Sequence, residues 1–308
     1  MRSLILSLLI SLSPAAARVQ QSPGGGQFAI AVDVDLVTFS VAVTDSRGRL
    51  VSGLKAADFR VYEEGKLQGI KLFTAEDAPA SVGLIIDNSG SMDNKRAEVV
   101  AAALAFASTS NPADEMFLVN FNENVYLGLP PGPIFTSDTA ALREALLRSA
   151  PVGMTALYDA LIFGIDLLKT GVRDRKALVV FSDGGDNASH HTLNEVLRAA
   201  RGLNATIYAV GIYDEADADK NRRVLREIAE RNGGRAYFPE SLRNISQIAR
   251  EIAAGIRGQY TLGYSSSNTR RDGTFRKVKI TARRSGGREL QVDTREGYVA
   301  PAAALPPQ

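Results

Sequence analysis

Hydrophobic positions fall into two textures along the chain. From Val82 to Tyr237, short apolar runs alternate with stretches in which apolar residues recur every three or four positions. The runs Val82–Ile86, Met116–Phe121, Ala177–Phe181, Thr206–Val210 and Arg235–Phe238 predict strands. The stretches near 95–109, 138–148, 156–169, 192–202 and 218–231 predict helices between them. A further helix follows, with Leu242, Ile245, Ile248, Ile252 and Ile256 on one face, Ser241 as N-cap and Gly233-Gly234 closing the helix before it. Strand–helix alternation of this kind predicts a mainly parallel, doubly wound α/β sheet covered on both faces.

On either side the period drops to two. Val37, Phe39, Val41 and Val43 alternate with Thr38, Ser40, Ala42 and Thr44. Asp45-Ser46-Arg47-Gly48 reads as a turn into a return strand at Leu50-Val51, and Glu63-Glu64-Gly65-Lys66 as a second turn after Phe59 and Val61. Beyond Gly258, Tyr260, Leu262 and Tyr264 alternate, as do Val278, Ile280 and Ala282, then Leu290 and Val292. Two or three strands at either end would be marginal alone. The two flanks are therefore expected to join in space as a small antiparallel β-sandwich into which the α/β part is inserted.

Composition narrows the chemistry. With 45% apolar and 23% charged residues, the 308-residue chain has enough of both to build a packed core. A formal net charge of +2 gives no reason to expect nucleic acid. Cysteine is absent, which excludes disulfides, thiolate nucleophiles and Fe–S clusters, and two histidines argue against a multi-His zinc site. At the N-terminus, Arg2, the apolar run Leu4–Leu12 and Ala15-Ala16-Ala17 form the pattern of an export signal with a small-residue cleavage site. Residues 1–17 are thus expected to be removed, leaving no transmembrane segment in a protein that works in the periplasm or is secreted. Gly24-Gly25-Gly26 suggests a loose lead-in, and 301–308 a loose tail.

The chain's chemistry gathers at strand ends. Leu84-Ile85-Ile86-Asp87-Asn88-Ser89-Gly90-Ser91 is a buried strand running into an acid and two alternate serines just before a helix. Thr155, in Gly153-Met154-Thr155-Ala156, stands before another helix, and Asp183, in Phe181-Ser182-Asp183-Gly184, ends another apolar strand. A doubly wound sheet brings such loops to one edge. Asp87, Ser89, Ser91, Thr155 and Asp183 would then offer five oxygen ligands, the donor type that hard cations such as Mg²⁺ take.

This combination, Asp-x-Ser-x-Ser, then Thr155, then Asp183 in Ser-Asp-Gly, resembles the metal-ion-dependent adhesion site of the von Willebrand factor type A domain, over roughly residues 79–256. All three ligand segments are present in order. The flanks, with Val41-x-Val43-Thr44-Asp45-x-x-Gly48, Asp58-Phe59-x-Val61, Tyr260-x-Leu262-x-Tyr264 and Gly297-Tyr298, resemble exported bacterial proteins in which a type A domain sits between two β segments (18–78 and 257–300 here). The resemblance implies a Rossmann-like type A fold, a bound Mg²⁺ (or Mn²⁺ or Ca²⁺), and a protein partner that supplies an acidic side chain to it. In the family, Asp183 often acts through a water, and the last helix, 241–256 here, moves between closed and open forms. Two carboxylates balance a divalent cation, and three weak hydroxyl donors leave room for an outside oxygen. Metal-dependent adhesion without catalysis is the expected function. The alternative is a structural subunit of an envelope assembly whose metal stabilises the loops.

Other motifs change this little. Val32-Asp33-Val34-Asp35 resembles a dehalogenase-type phosphatase nucleophile but precedes a hairpin pattern rather than a strand–helix unit. His190-His191 read as surface residues at a helix entry, since no G-x-S-x-G elbow exists. Asp93 suits a helix N-terminus, and Asp186 and Asn187 suit either loop closure or tuning of the site. No phosphate-binding G-x-x-x-x-G-K-[ST] loop is present. The basic run from Arg270 to Arg288 reads as a solvated strand face with few interleaved aromatics, and no nucleic acid is expected. Metal-assisted hydrolysis lacks an evident general base.

Overall fold

The computed structural model describes residues 36–75, 77–213, 222–284 and 287–303. The export-signal pattern, the glycine-rich lead-in and Asp33 and Asp35 lie outside the described residues, as do the first residues of the helix expected from 218. The chain opens with strands β1 (Leu36–Thr44), β2 (Phe59–Glu63), β3 (Lys66–Gln68) and β4 (Ile70–Thr74). The α/β part follows as β5 (Ala80–Asp87), α1 (Arg96–Thr109), β6 (Glu115–Phe121), β7 (Val125–Leu127), α2 (Thr139–Arg148), α3 (Leu157–Lys169), β8 (Arg175–Ser182), α4 (Leu193–Arg201), β9 (Ala205–Gly211), α5 (Arg222–Arg231), β10 (Ala236–Tyr237) and α6 (Ile245–Arg257). Strands β11 (Tyr260–Ser265), β12 (Phe275–Arg283), β13 (Glu289–Asp293) and β14 (Gly297–Val299) close the fold.

The central strand explains the α/β layer. All eight residues of β5 are buried, so the strand is a continuous apolar run rather than an alternating one. Val82, Leu84 and Ile86 pack against α1 and α6, while Ile85 packs against α3 on the other face. Gly83 stands where the Phe117 and Leu178 side chains fill the space a Cβ would need. The sheet order is β10-β9-β8-β5-β6-β7, parallel throughout except for β7, which returns antiparallel to β6. β7 is absent from the sequence expectation because Val125–Leu127 is too short to show a period. From β5 the chain steps to β6 through α1 and then back across to β8 through α3. Because the chain leaves β5 for α1 on one face and β8 for α4 on the other, the carboxyl ends of β5 and β8 form the switch point of the sheet.

The flanking strands pair with each other: β1 with β11 and β13, and β2 with β12. They form one eight-stranded antiparallel sheet, ordered β3-β2-β12-β13-β1-β11-β4 with β14 on β12. Only Gly69 separates β3 from β4, yet these strands are the two ends of the order. The sheet must therefore curl until its ends meet, and Phe39, Val41, Phe59, Val61, Tyr260, Leu262, Tyr264 and Ile280 fill its inside. This differs from two facing sheets. Glu64 and Gly65, with φ of 47° and 78°, make the tight turn between β2 and β3. The return strand expected at Leu50-Val51 is reduced to a single bridge, Thr44 to Leu50, because Asp45 holds the turn by accepting from the Arg47 and Arg49 N–H groups. Within the C-terminal stretch read as a loose tail, Ala302 bridges Asp272 and the Ala303 N–H donates to the Arg271 carbonyl. Residues 304–308 lie outside the described residues.

Candidate metal centre

Asp87 is the last residue of β5, and hydrogen bonds gather the oxygen-bearing side chains around it. Its Oδ1 accepts from the Ser89 N–H at 2.9 Å and from the Ser89 hydroxyl at 2.6 Å. Its Oδ2 accepts from the Ser182 hydroxyl at 2.6 Å. The Ser89 and Ser91 hydroxyls are 3.1 Å apart, and Ser91 Oγ donates to Asp183 Oδ2 at 2.6 Å. Asp183 Oδ1 accepts from the Gly185 N–H at 2.9 Å, a turn that holds the carboxylate toward Ser91. Four of the five expected residues thus form one chain of contacts. Thr155 is buried on a separate loop, and its backbone bonds to Asn187 and Ala188 beyond Asp183.

Backbone bonds lock the three loops together. The Val152 N–H donates to the Asn88 carbonyl at 2.8 Å, and the Gly90 N–H to the Gly153 carbonyl at 3.0 Å. The Asn187 and Ala188 N–H groups both donate to the Thr155 carbonyl, and the Thr155 N–H returns a bond to Asn187 Oδ1 at 2.9 Å. The start of α3 is capped from the Asp183 loop: Ser189 Oγ accepts from the Tyr158 and Asp159 N–H groups, and Asp186 accepts from Ser189 Oγ and the Tyr158 N–H. Asp186 and Asn187 therefore close loops. Asp159 does the reverse, accepting from the His190 and His191 N–H groups and facing Nδ1 of both rings at 3.2 and 2.7 Å.

Several participants were invisible as ligands in the sequence. Asn88, the residue between Asp87 and Ser89, is buried and fully bonded. Its Nδ2 donates to Asn120 Oδ1 at 2.8 Å and its Oδ1 accepts from Arg96 at 2.6 Å. The same guanidinium reaches Ser149 Oγ at 2.7 Å, the Ser149 carbonyl at 3.1 Å and the Leu146 carbonyl. Arg96 thereby ties the end of α2 to the Asp87 loop. Glu123 caps the Met154 N–H at 2.9 Å. The usable sequence signal was polarity at otherwise fully buried strand ends, at Asn88, Asn120 and Ser182.

The electrostatics set Asp87 apart. Burial pushes its carboxyl up to about 6, against the opposing pull of the bonds from Ser182 and Ser89, and the neighbouring Asp183 charge adds to the rise. No basic side chain pairs with Asp87 or Asp183 among the described residues. A buried carboxylate without a counter-charge, among hydroxyl oxygens, fits a hard divalent cation. Among the described residues no cluster of three or more His, Cys, Asp or Glu side chains has metal-binding geometry. Any cation here would lean on hydroxyls and two carboxylates.

Residues 82–185, which include all five candidate ligands, match the family model of the von Willebrand factor type A domain. Over that segment the α/β part is similar to a type A domain. The curated relative found is the uncharacterized protein sll0103 of Synechocystis sp., 26% identical over 167 residues, or 53% of this chain. The match spans about 38% of that relative's length. Among solved structures, a von Willebrand factor type A protein from Catenulispora acidiphila has the same fold, with a TM-score of 0.52 and 18% identity over 88% of this chain and 75% of that one. That coverage extends beyond the type A segment. The vWF domain of the type V pili tip protein Mfa5 from Porphyromonas gingivalis matches with a TM-score of 0.44 and 15% identity, over 58% of this chain and 96% of that one. Among the described residues no helix is long and apolar enough to cross a membrane.

Proposed function

We propose that this protein binds an extracytoplasmic protein partner in a divalent-metal-dependent way, and that Asp87, Ser89, Ser91, Thr155 and Asp183 hold the cation. The observation that carries the reading is Asp87 itself: buried and, among the described residues, without a basic partner and met only by hydroxyl and N–H donors. Mg²⁺ is the first candidate, with Mn²⁺ and Ca²⁺ as substitutes. When bound, it would leave a coordination position for a carboxylate oxygen from the partner. This chain's part is to orient the donors, and the Ser182 and Gly185 bonds do so for Asp87 and Asp183.

The loops are already joined to one another by backbone hydrogen bonds. That weighs for ligand capture over the rival in which a metal serves mainly to hold the loops of an envelope subunit. Binding without turnover is the better reading too. Both histidines of the chain face Asp159, and neither bonds to Ser89, Ser91 or Thr155. The extracytoplasmic setting rests on Arg2, Leu4–Leu12 and Ala15-Ala16-Ala17.

Calorimetric titration with Mg²⁺ and Mn²⁺ tests the proposal. Wild-type protein is expected to bind one ion, and Asp87→Ala and Asp183→Ala to lose or greatly weaken that binding. Binding by Asp87→Ala equal to wild type removes the proposal.

A further inference from the structure

The α/β elements expose five large apolar side chains among the described residues: Tyr126, Leu147, Val152, Met154 and Val172. Four of the five fall between β7 and the start of α3, a stretch that runs down to the start of β6 at Thr136 and returns through α2, and they sit near its two ends. Tyr126 pairs with Asn120 near the end of β6. Leu147 is next to Leu146, whose carbonyl accepts from Arg96. Val152 and Met154 flank Gly153 in the loop that leads to Thr155, and are 62% and 53% exposed.

Exposed apolar residues scattered singly need no explanation, but a set gathered on one rim marks a surface that another molecule covers. The loop that displays Val152 and Met154 is fixed on both sides. The Val152 N–H bonds to Asn88, Gly153 accepts from the Gly90 N–H, and the Met154 N–H bonds to Glu123. The turn at Gly153 has a φ of +84°, a conformation open to glycine and strained for other residues. A loop backbone held this way loses little freedom when covered, so the ordering cost is confined to the side chains. Residues 149–156 carry no charge, so an acidic ligand reaching Asp87 and Ser91 meets no repulsion from this loop. Glu123, the acid that bonds to this loop, has an oxygen engaged by the Met154 N–H.

We propose that this rim docks the partner, and that the partner presents an acidic residue flanked by apolar side chains which settle on Val152 and Met154, with Leu147 and Tyr126 at the margin. The proposal rests on the metal-dependent reading for the acid and on the rim for its neighbours.

Glutamate-centred synthetic peptides test it, with flanking positions set to Leu and Phe or to Ser, titrated against the whole chain in Mg²⁺ and in EDTA. The comparison protein is the Val152→Ser, Met154→Ser double variant, whose exposed sites leave the core intact. Apolar-flanked peptides are expected to bind roughly ten-fold or more tightly than Ser-flanked ones. The double variant is expected to lose that preference while its Mg²⁺ affinity stays unchanged. Equal binding by Ser-flanked peptides, a preference that survives in the double variant, or no peptide bound at millimolar concentration overturns the proposal. Concentration-dependent self-association that the double variant abolishes also overturns it, since the rim then serves a second copy of this chain. Failure of the wild type to bind Mg²⁺ removes the reading of the metal centre alone. The rim is then decided by the flank preference and its loss in the double variant, with or without Mg²⁺.

Discussion

At the scale of single residues, the buried carboxylate of Asp87 makes a prediction that runs against ordinary mutational expectation. In EDTA at pH 8 its charge lacks a counter-ion, and a raised carboxyl means that the folded state prefers the neutral form. Asp87→Asn keeps the shape and removes the charge. The variant is expected to melt above wild type in EDTA, by on the order of 1–3 kcal/mol of stability, and to gain nothing from Mg²⁺. Thermal melts of both proteins with and without Mg²⁺ check this, and an apo variant less stable than wild type would contradict it. Asp159 carries the opposite sign. Burial alone would raise its carboxyl, but the bonds from the His190 and His191 backbones and rings outweigh burial and hold it at about 2. The stabilisation is therefore fully present above the ordinary carboxylate range and is lost as pH falls through about 2. Asp159→Asn should be less stable than wild type at pH 6, by on the order of 1–2 kcal/mol, and the gap should close by pH 2 in urea titrations. At this scale the sequence offers Asp87, Ser89, Ser91, Thr155 and Asp183 as candidates, because their spacing along the chain is itself a pattern, and hydrogen bonds join four of them. It was silent on Arg96 and marked Ser182 only by its polarity, because their partners lie 53 and 95 residues away.

Between elements, the decisive contact is the Arg96 guanidinium, which joins α1, the end of α2 and the Asp87 loop through Asn88, Ser149 and Leu146. Its pKa is pushed down by burial, so the charge is kept at a desolvation cost that its carbonyl and amide partners offset. Arg96→Ala strands those acceptors and frees the loop that carries Val152 to Thr155. The expected loss is about 2–4 kcal/mol of stability, with Mg²⁺ affinity lowered by roughly ten-fold. Arg96→Lys supplies one charge without the fork and should recover part of the stability and little of the affinity. Denaturant curves and calorimetry on the two variants separate these effects; unchanged Mg²⁺ binding by Arg96→Ala would show that the clamp does not position the site. At this scale periodicity was a good guide wherever an element is long. The helices along α1, α3 and α6 lie close to the expected spans, because an apolar stripe of three or four turns is hard to mimic. It failed at β7, three residues on a sheet edge, and at Leu50, where the Asp45 turn bonds pre-empt a ladder. Nor does alternation alone distinguish two facing sheets from one curled sheet. That choice depends on β3 and β4 being one residue apart at opposite ends of the strand order.

For the whole molecule, the question is how two sheets built from interleaved parts of one chain are made to unfold together. The chain leaves the curled sheet at Asp77 and returns to it at Gln259, and two arginines hold these crossings side by side. Arg257 forms an ion pair with Asp77 at 2.5 Å, with both side chains near 40% exposed. Arg175, at the start of β8 and buried, donates to the Gln259 carbonyl at 2.8 Å and to the Arg257 carbonyl at 3.1 Å, with longer approaches to the Ala78 and Ile256 carbonyls. The two arginines differ in what their loss exposes. An exposed pair is screened and contributes little, so Arg257→Ala should cost about 0.2–1 kcal/mol. Arg175 is a buried cation whose removal leaves several buried carbonyls without their donor, and Arg175→Ala should cost about 3–5 kcal/mol. Because those carbonyls belong to the link between α6 and β11, the loss should also weaken the coupling between the two sheets. Wild type is expected to unfold in urea in one transition, seen alike by far-ultraviolet dichroism, which is dominated by the helices, and by the fluorescence of a Phe73→Trp reporter in the core of the curled sheet, a unique probe because the chain has no tryptophan of its own. In Arg175→Ala the two signals should separate, with a lower apparent m for each. Coincident transitions in that variant would mean that the apolar packing between the sheets, rather than the pinned crossing, makes the molecule cooperative.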